Sequence, residues 1–204
     1  FALEHPEYRG MGTTTTVAGV LGDTLYLCQV GDSRGYLIRD GVATQITKDQ
    51  SLVQRLIDAG ELTPEEAEVS ERRNIILQAL GPEASVKVDL TVQPLRRGDT
   101  LLLCSDGMSG QMGKHDIERI VSESPDLMST CENLIDLANE NGGPDNITVV
   151  TARFEGDGLQ PATAHDDVGH RPYVSPSALR ITTPVDADAV RQSMAAADAL
   201  ELLT

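Results

Sequence analysis

The 204-residue chain carries a formal net charge of −16, from 16 Lys and Arg against 32 Asp and Glu. That excess of anions repels nucleic-acid backbones and anionic membrane surfaces, and the apolar runs are strand-sized, well short of the roughly 20 residues that span a bilayer. With no Trp and 3% aromatics there are few stacking platforms for bases or sugars, while 40% hydrophobic content is enough to fill one domain core. The chain opens at Phe1 without a signal-peptide pattern, so it reads as beginning inside a longer protein. Cys28, Cys104 and Cys131 are unclustered in apolar segments and read as buried thiols in a reducing, cytoplasmic setting.

Residues 1–10 read as the end of a helix closing at Gly10. Residues 13–20 are β-branched and small, and Thr24–Val30 alternates, with Leu25, Leu27 and Gln29 on one face. Leu21-Gly22-Asp23 joins the two as a hairpin. Gly31-Asp32-Ser33 breaks the chain before a strand over Arg34–Arg39, and Asp40-Gly41 turns it into 42–46, giving an antiparallel meander. Asp49 is placed to cap a helix carrying Leu52, Val53, Leu56 and Ile57, which Gly60 stops. Thr63-Pro64-Glu65-Glu66 restarts a helix, and five Glu between 61 and 74 mark an exposed excursion, a flap.

Strands follow over 86–92 and 100–105, separated by the Arg97-Gly98-Asp99 turn. A short helix begins near Lys114 or Asp116, and Asp126 caps a longer one with Leu127, Cys131, Leu134, Ile135 and Ala138 on one stripe. Asn141-Gly142-Gly143-Pro144 ends it, and Asp145-Asn146 opens a last strand over 147–154. Residues 156–185 lose periodicity and read as linker; residues 186–204, rich in Ala, read as a short helix. The organisation expected is a domain over 1–155, a linker over 156–185 and a helix over 186–204.

Three aspartates stand at strand boundaries. Asp32 follows Val30, Asp106 follows the apolar run Leu101-Leu102-Leu103-Cys104, and Asp145 precedes the last strand. If the strand before Asp106 runs antiparallel beside the strand after Asp145, both carboxylates emerge at one sheet edge, and Asp32 joins them if its strand lies parallel to the strand before Asp106. Converging carboxylates repel unless cations neutralise them, and hard ions such as Mg²⁺ or Mn²⁺ suit carboxylate and water ligands. Asx turns at strand ends are common by themselves, so no single Asp decides the matter.

The ordered set is more specific. Gly12-Thr13-Thr14, Val30-Gly31-Asp32-Ser33-Arg34, Asp49 to Ala67, Arg73-Asn74 to Gly81, Ser105-Asp106-Gly107 and Gly143-Pro144-Asp145-Asn146-Ile147-Thr148 resemble, in order, the motifs of the bacterial protein phosphatase 2C family. The resemblance implies an α+β fold of two packed antiparallel β-sheets flanked by helices, with the N-terminal strands missing. It implies metal-dependent hydrolysis of phosphoserine and phosphothreonine in protein substrates, with two core Mg²⁺ or Mn²⁺ ions activating a bridging water. Asp106 and Asp145 match ligands of the second core ion, and Asp32 matches an acid of a third, weaker site. Gly107 and Asn146 match positioning residues, and 47–81 matches the flap beside the active site.

Departures accompany these matches. The family's N-terminal Asp-Gly ligand, phosphate-binding Arg and general-acid His have no counterpart before Gly12, and His5, His115, His165 and His170 do not fall at the matching place. Ser109-Gly110 replaces an acid that often follows Ser-Asp-Gly, and Gln50 stands where many bacterial members have His. The expectation is therefore a phosphatase impaired as the 204-residue chain alone, the alternative being a non-catalytic, pseudophosphatase-like regulatory or protein-binding module.

Overall fold

A computed structural model describes residues 1, 2 and 4–174; the part of the expected linker over 175–185 and the expected helix over 186–204 lie outside the described residues. The chain opens on a single 3-10 turn, Pro6–Tyr8, rather than the end of a helix, since none of its residues is buried and nothing holds a longer one. Strand β1 (Thr15–Leu21) and β2 (Thr24–Val30) pair antiparallel about Gly22, whose φ of +62° suits the turn. Strands β3 (Arg34–Arg39) and β4 (Val42–Gln45) complete the meander.

Ser51, not Asp49, caps helix α1 (Leu52–Asp58), its side chain accepting the Gln54 N–H at 3.2 Å. Asp49 is instead drawn into an ion pair with Arg34, a stronger partner than a helix terminus. Helix α2 (Pro64–Glu68) has the expected cap: Thr63 accepts the Glu66 N–H and Glu66 accepts the Thr63 N–H. Strand β5 (Asp89–Pro94) starts three residues later than 86, because Lys87 spends its N–H on Gln78 and its carbonyl on Gln50 instead of on a ladder. Strand β6 (Thr100–Cys104), helices α3 (Asp106–Ser109), α4 (Lys114–Glu123) and α5 (Leu127–Glu140), and strand β7 (Val149–Arg153) follow. Asp126 caps α5 as expected, accepting the Ser129 N–H at 2.8 Å.

The strands form two antiparallel sheets, ordered β1-β2-β5 and β4-β3-β6-β7. Alternation along β3 and β6 divides the core. Tyr36, Ile38, Leu102 and Cys104 face α4 and α5, against Ile117, Ile120, Val121, Leu134 and Ala138. Leu37 and Leu101 face the other sheet, against Leu25 and Leu27. The second sheet is thus buried on both faces, which is why 101–104 reads as an unbroken apolar run.

The expected boundary at 155 does not hold: the compact unit extends to Tyr173. Residues 156–173 form a strap along β5 rather than a linker. Leu159 and Val168 pack on the inter-sheet core, Val92 N–H donates to the Arg171 carbonyl, and Tyr173 N–H donates to the Leu90 carbonyl. Ion pairs Arg96–Asp166 and His170–Asp89 fasten it. Among the described residues no helix is long and apolar enough to cross a membrane.

Candidate metal centre

Asp106 leaves β6 as the first residue of α3, directly after its cap residue Ser105. Because β6 pairs antiparallel with β7, Cys104 opposite Val149, the chain before β7 arrives at the same sheet end. Ser105 locks that meeting: its N–H donates to the Thr148 carbonyl at 3.1 Å, its Oγ donates to the Asn146 carbonyl at 3.1 Å, and the same Oγ accepts the Thr148 N–H at 3.0 Å. The side-chain partner explains why β7 starts at Val149 rather than at 147. Gly107 sits so close to this loop that a β-carbon there would collide with the Asn146 carbonyl and lie 3.4 Å from that of Asp145. Any larger residue would push the two acidic loops apart. Asp145 itself accepts the Asn146 N–H at 2.7 Å. Gly142 and Gly143, with φ of +123° and +45°, make the reversal into this loop.

Asp32 reaches the same end by a different route from the one expected. Its preceding strand, β2, lies in the other sheet, so no parallel pairing with β6 exists. The following strand β3 does the work: it runs antiparallel to β6 with Arg34 opposite Cys104, so Asp32, two residues before Arg34, stands beside the exit of β6. Burial, then the nearby Asp106 and Asp49 carboxylates, push the Asp32 pKa up from 3.8 to about 6.

Beside Asp32 lies a partly buried charge pair that sequence reading missed. Arg34 binds Asp49 in bidentate fashion, at 3.0 Å from Nε and 2.8 Å from Nη2, while Gln45 donates to the same carboxylate at 3.0 Å. The signal was an Arg opening an otherwise apolar strand. Cys104, next to this pair, has its thiol pushed up to about 12 by burial, in keeping with a small hydrophobe. All three cysteines are unpaired.

The carboxylate end is incomplete as a metal cage. Among the described residues no group of three His, Cys, Asp or Glu side chains is close enough to hold an ion. Asp106 and Asp145 are exposed and face open space at the sheet end. The donor chemistry suits a hard divalent cation, but Asp32, Asp106 and Asp145 would supply only part of its coordination. Of the histidines, His5 stacks on Phe1 with ring centroids 4.0 Å apart, His170 is bonded to Asp89, and His115 is exposed on α4.

Two antiparallel sheets backed by helices, with acidic loops at one end, are the architecture of protein phosphatase 2C-like structures. Residues 4–56 match the family model described as Protein phosphatase 2C, and the chain belongs to that family. A serine/threonine protein phosphatase of Mycobacterium tuberculosis, PstP, is 47% identical over 148 residues, covering 72% of this chain and 28% of the relative. A serine/threonine phosphatase of Listeria innocua, stp, is 41% identical over 150 residues, covering 74% of this chain and 60% of the relative. The crystal structure of the mycobacterial phosphatase superposes with a TM-score of 0.72 at 44% identity, covering 76% of this chain and 65% of that one. A PstP catalytic domain in complex with two manganese ions superposes with a TM-score of 0.69 at 43% identity, covering 76% and 64%. The chain therefore spans less than two thirds of the relatives it matches.

Proposed function

We propose that this chain carries the part of a protein serine/threonine phosphatase site that is built on β6 and β7, and that it works in Mg²⁺- or Mn²⁺-dependent hydrolysis of phosphoserine and phosphothreonine in proteins. Asp106 and Asp145 are the ligands of a core ion, and Asp32 serves a weaker third site. A divalent cation supplies the positive charge that a phosphoryl group requires, together with a readily deprotonated water. The chain's own residues hold and aim: Ser105 fixes the spacing of the two acidic loops, Gly107 permits their approach, and Asn146 stands beside the last ligand to position substrate or water. The observation that carries this reading is the Ser105 latch, which ties the loop bearing Asp106 to the loop bearing Asp145 through three hydrogen bonds.

The net charge of −16 disfavours nucleic acid and anionic membranes as partners, and an anionic phosphoprotein substrate would need local cations. Three unpaired cysteines fit a reducing, cytoplasmic setting. A second reading, a regulatory module that keeps the fold without turnover, is favoured by the absence of a three-ligand group among the described residues. The two separate in a phosphate-release assay with a phosphothreonine peptide and Mn²⁺. The 204-residue chain is expected to release little phosphate by itself. Joined to a segment supplying an Asp-Gly strand end and a phosphate-binding Arg, it is expected to turn over in a Mn²⁺-dependent manner, and Asp106→Asn or Asp145→Asn is expected to abolish that activity. A joined chain without activity would favour the regulatory module, and strong turnover by the 204 residues alone would contradict the division of the site.

A further inference from the structure

The turn that carries Asp32 is held by two glutamines, and one of them does so at a cost. Gln29 lies on the core face of β2 with Leu25 and Leu27 and is 1% exposed. Its Nε2 donates to the carbonyls on both sides of Asp32, Gly31 at 3.1 Å and Ser33 at 3.0 Å. Both partners are acceptors, so the amide must present its nitrogen to them, and that leaves Oε1 buried with no partner. Such an orphan is destabilising, since the oxygen loses its hydration on folding and gains no partner. An apolar side chain of similar shape would avoid the cost, since Gly31 O keeps a bond from Gln50 N–H and Ser33 O keeps one from Thr16 Oγ1.

Gln50 grips the same turn from the other side. Its Oε1 accepts the Gly31 N–H at 2.8 Å, and its backbone N–H donates to the Gly31 carbonyl at 2.9 Å. It also binds the return of the flap: its Nε2 donates to the Lys87 carbonyl at 2.9 Å, and its own carbonyl accepts the Leu77 N–H at 2.7 Å. Gly31, at φ +106° and packed against Thr14, has no room for a β-carbon. Gly31, the residue before Asp32, is thus bonded at both its N–H and its carbonyl, by residues from β2 and from the flap.

We infer that Gln29 and Gln50 are positioning residues that fix the backbone of Asp32 as a metal ligand, with Gln50 linking that ligand to the flap. The inference rests on the metal reading of Asp32 proposed above. Partners that orient a ligand typically contribute 10–100-fold in metal affinity, so roughly a tenfold loss is expected when either is removed.

The test uses the 204-residue chain with Mn²⁺ as the probe, in wild type, Gln29→Met, Gln50→Ala and Asp32→Asn. Mn²⁺ binding is followed by electron paramagnetic resonance, exchange of the Gly31 amide by NMR, and stability by thermal melting. Gln29→Met is expected to melt no lower than wild type while binding Mn²⁺ about tenfold more weakly at the site that Asp32→Asn removes. Gln50→Ala is expected to weaken the same site by a similar factor and to speed Gly31 amide exchange at least tenfold. A merely structural glutamine would show the reverse, a lower melting point with Mn²⁺ binding unchanged. Wild-type Mn²⁺ binding in both glutamine variants, beside a weakened Asp32→Asn, overturns the clamp alone. Wild-type binding in Asp32→Asn as well overturns the metal reading of Asp32, and the clamp with it.

Discussion

The two sheets of this domain are built from similar strands but meet very different surroundings. Sheet β4-β3-β6-β7 has the other sheet on one face and helices α4 and α5 on the other. Sheet β1-β2-β5 buries one face only, and its edge strand β1 leaves Val17, Val20 and Leu21 at 56%, 51% and 74% exposed. The difference decides how each acidic residue is mounted. Asp106 and Asp145 flank paired strands of the doubly covered sheet, and one serine is enough to fix their spacing. Asp32 sits where the chain crosses from one sheet to the other, with no ladder partner of its own, and two glutamines hold it.

The largest effect is expected where the sheets are joined. Arg39 on β3 binds Asp99 through 2.8 and 2.7 Å contacts and reaches across to the Pro94 carbonyl of β5. Both charges are almost fully buried. Asp99→Ala leaves a buried guanidinium without its partner and is expected to cost roughly 3–5 kcal/mol, measured by urea denaturation. Loss of both sheets in one transition is predicted; separate transitions would show that the sheets are not coupled through this pair. Next in size, Leu102→Ala in the covered sheet is expected to cost about 2–5 kcal/mol, whereas Leu21→Ala in the open one stays within about 0.5 kcal/mol. Equal losses would erase the contrast between the sheets.

A smaller, pH-dependent effect belongs to the crossing. The folded chain holds the Asp32 proton up to about pH 6, while the unfolded chain releases it near the ordinary 3.8. Between those values the native state binds more protons, so stability of the metal-free chain falls as pH rises from about 4 to about 6 and is level above that. Asp32→Asn removes this penalty. In chelator, the variant is expected to melt a few degrees above wild type near neutral pH and together with it below about pH 4; a constant difference across the range would contradict the shift. The smallest effect is expected at the flap, where Thr63→Ala removes one capping bond from the exposed α2 and costs about 1 kcal/mol of local helix stability, read by amide exchange over 64–68.

What could be read from the amino-acid sequence follows from how local its physics is. The run Leu101 to Cys104 identified a strand buried on both faces, and antiparallel geometry then brought Asp106 and Asp145 to one edge. The hairpin at Gly22, the Thr63 cap and the Asp126 cap are set by neighbouring residues, and all were legible. Asp32 was assigned to the right end for the wrong reason, because the pairing of β3 with β6 joins residues some 70 apart and leaves no local trace. Asp49 looked like a helix cap, since an Asp before an apolar helix gives no sign that Arg34 will claim it. The strap over 156–173 was hidden for the same cause: Asp166 and His170 find partners at Arg96 and Asp89, and a segment held by distant ion pairs and backbone bonds to β5 needs no periodicity. Gln29 was visible on an apolar face, a polar residue at a core position, and that was the signal for the clamp.

The central claim is that three acids from different strands form one metal-binding end. It is tested most directly by adding substoichiometric Mn²⁺ to the ¹⁵N-labelled chain and mapping which amide signals broaden. The account predicts broadening concentrated around 31–33, 105–107 and 145–147, and strongly reduced in Asp106→Asn. Broadening spread over the acidic surface, or centred on the Glu-rich flap and unchanged in Asp106→Asn, would contradict it.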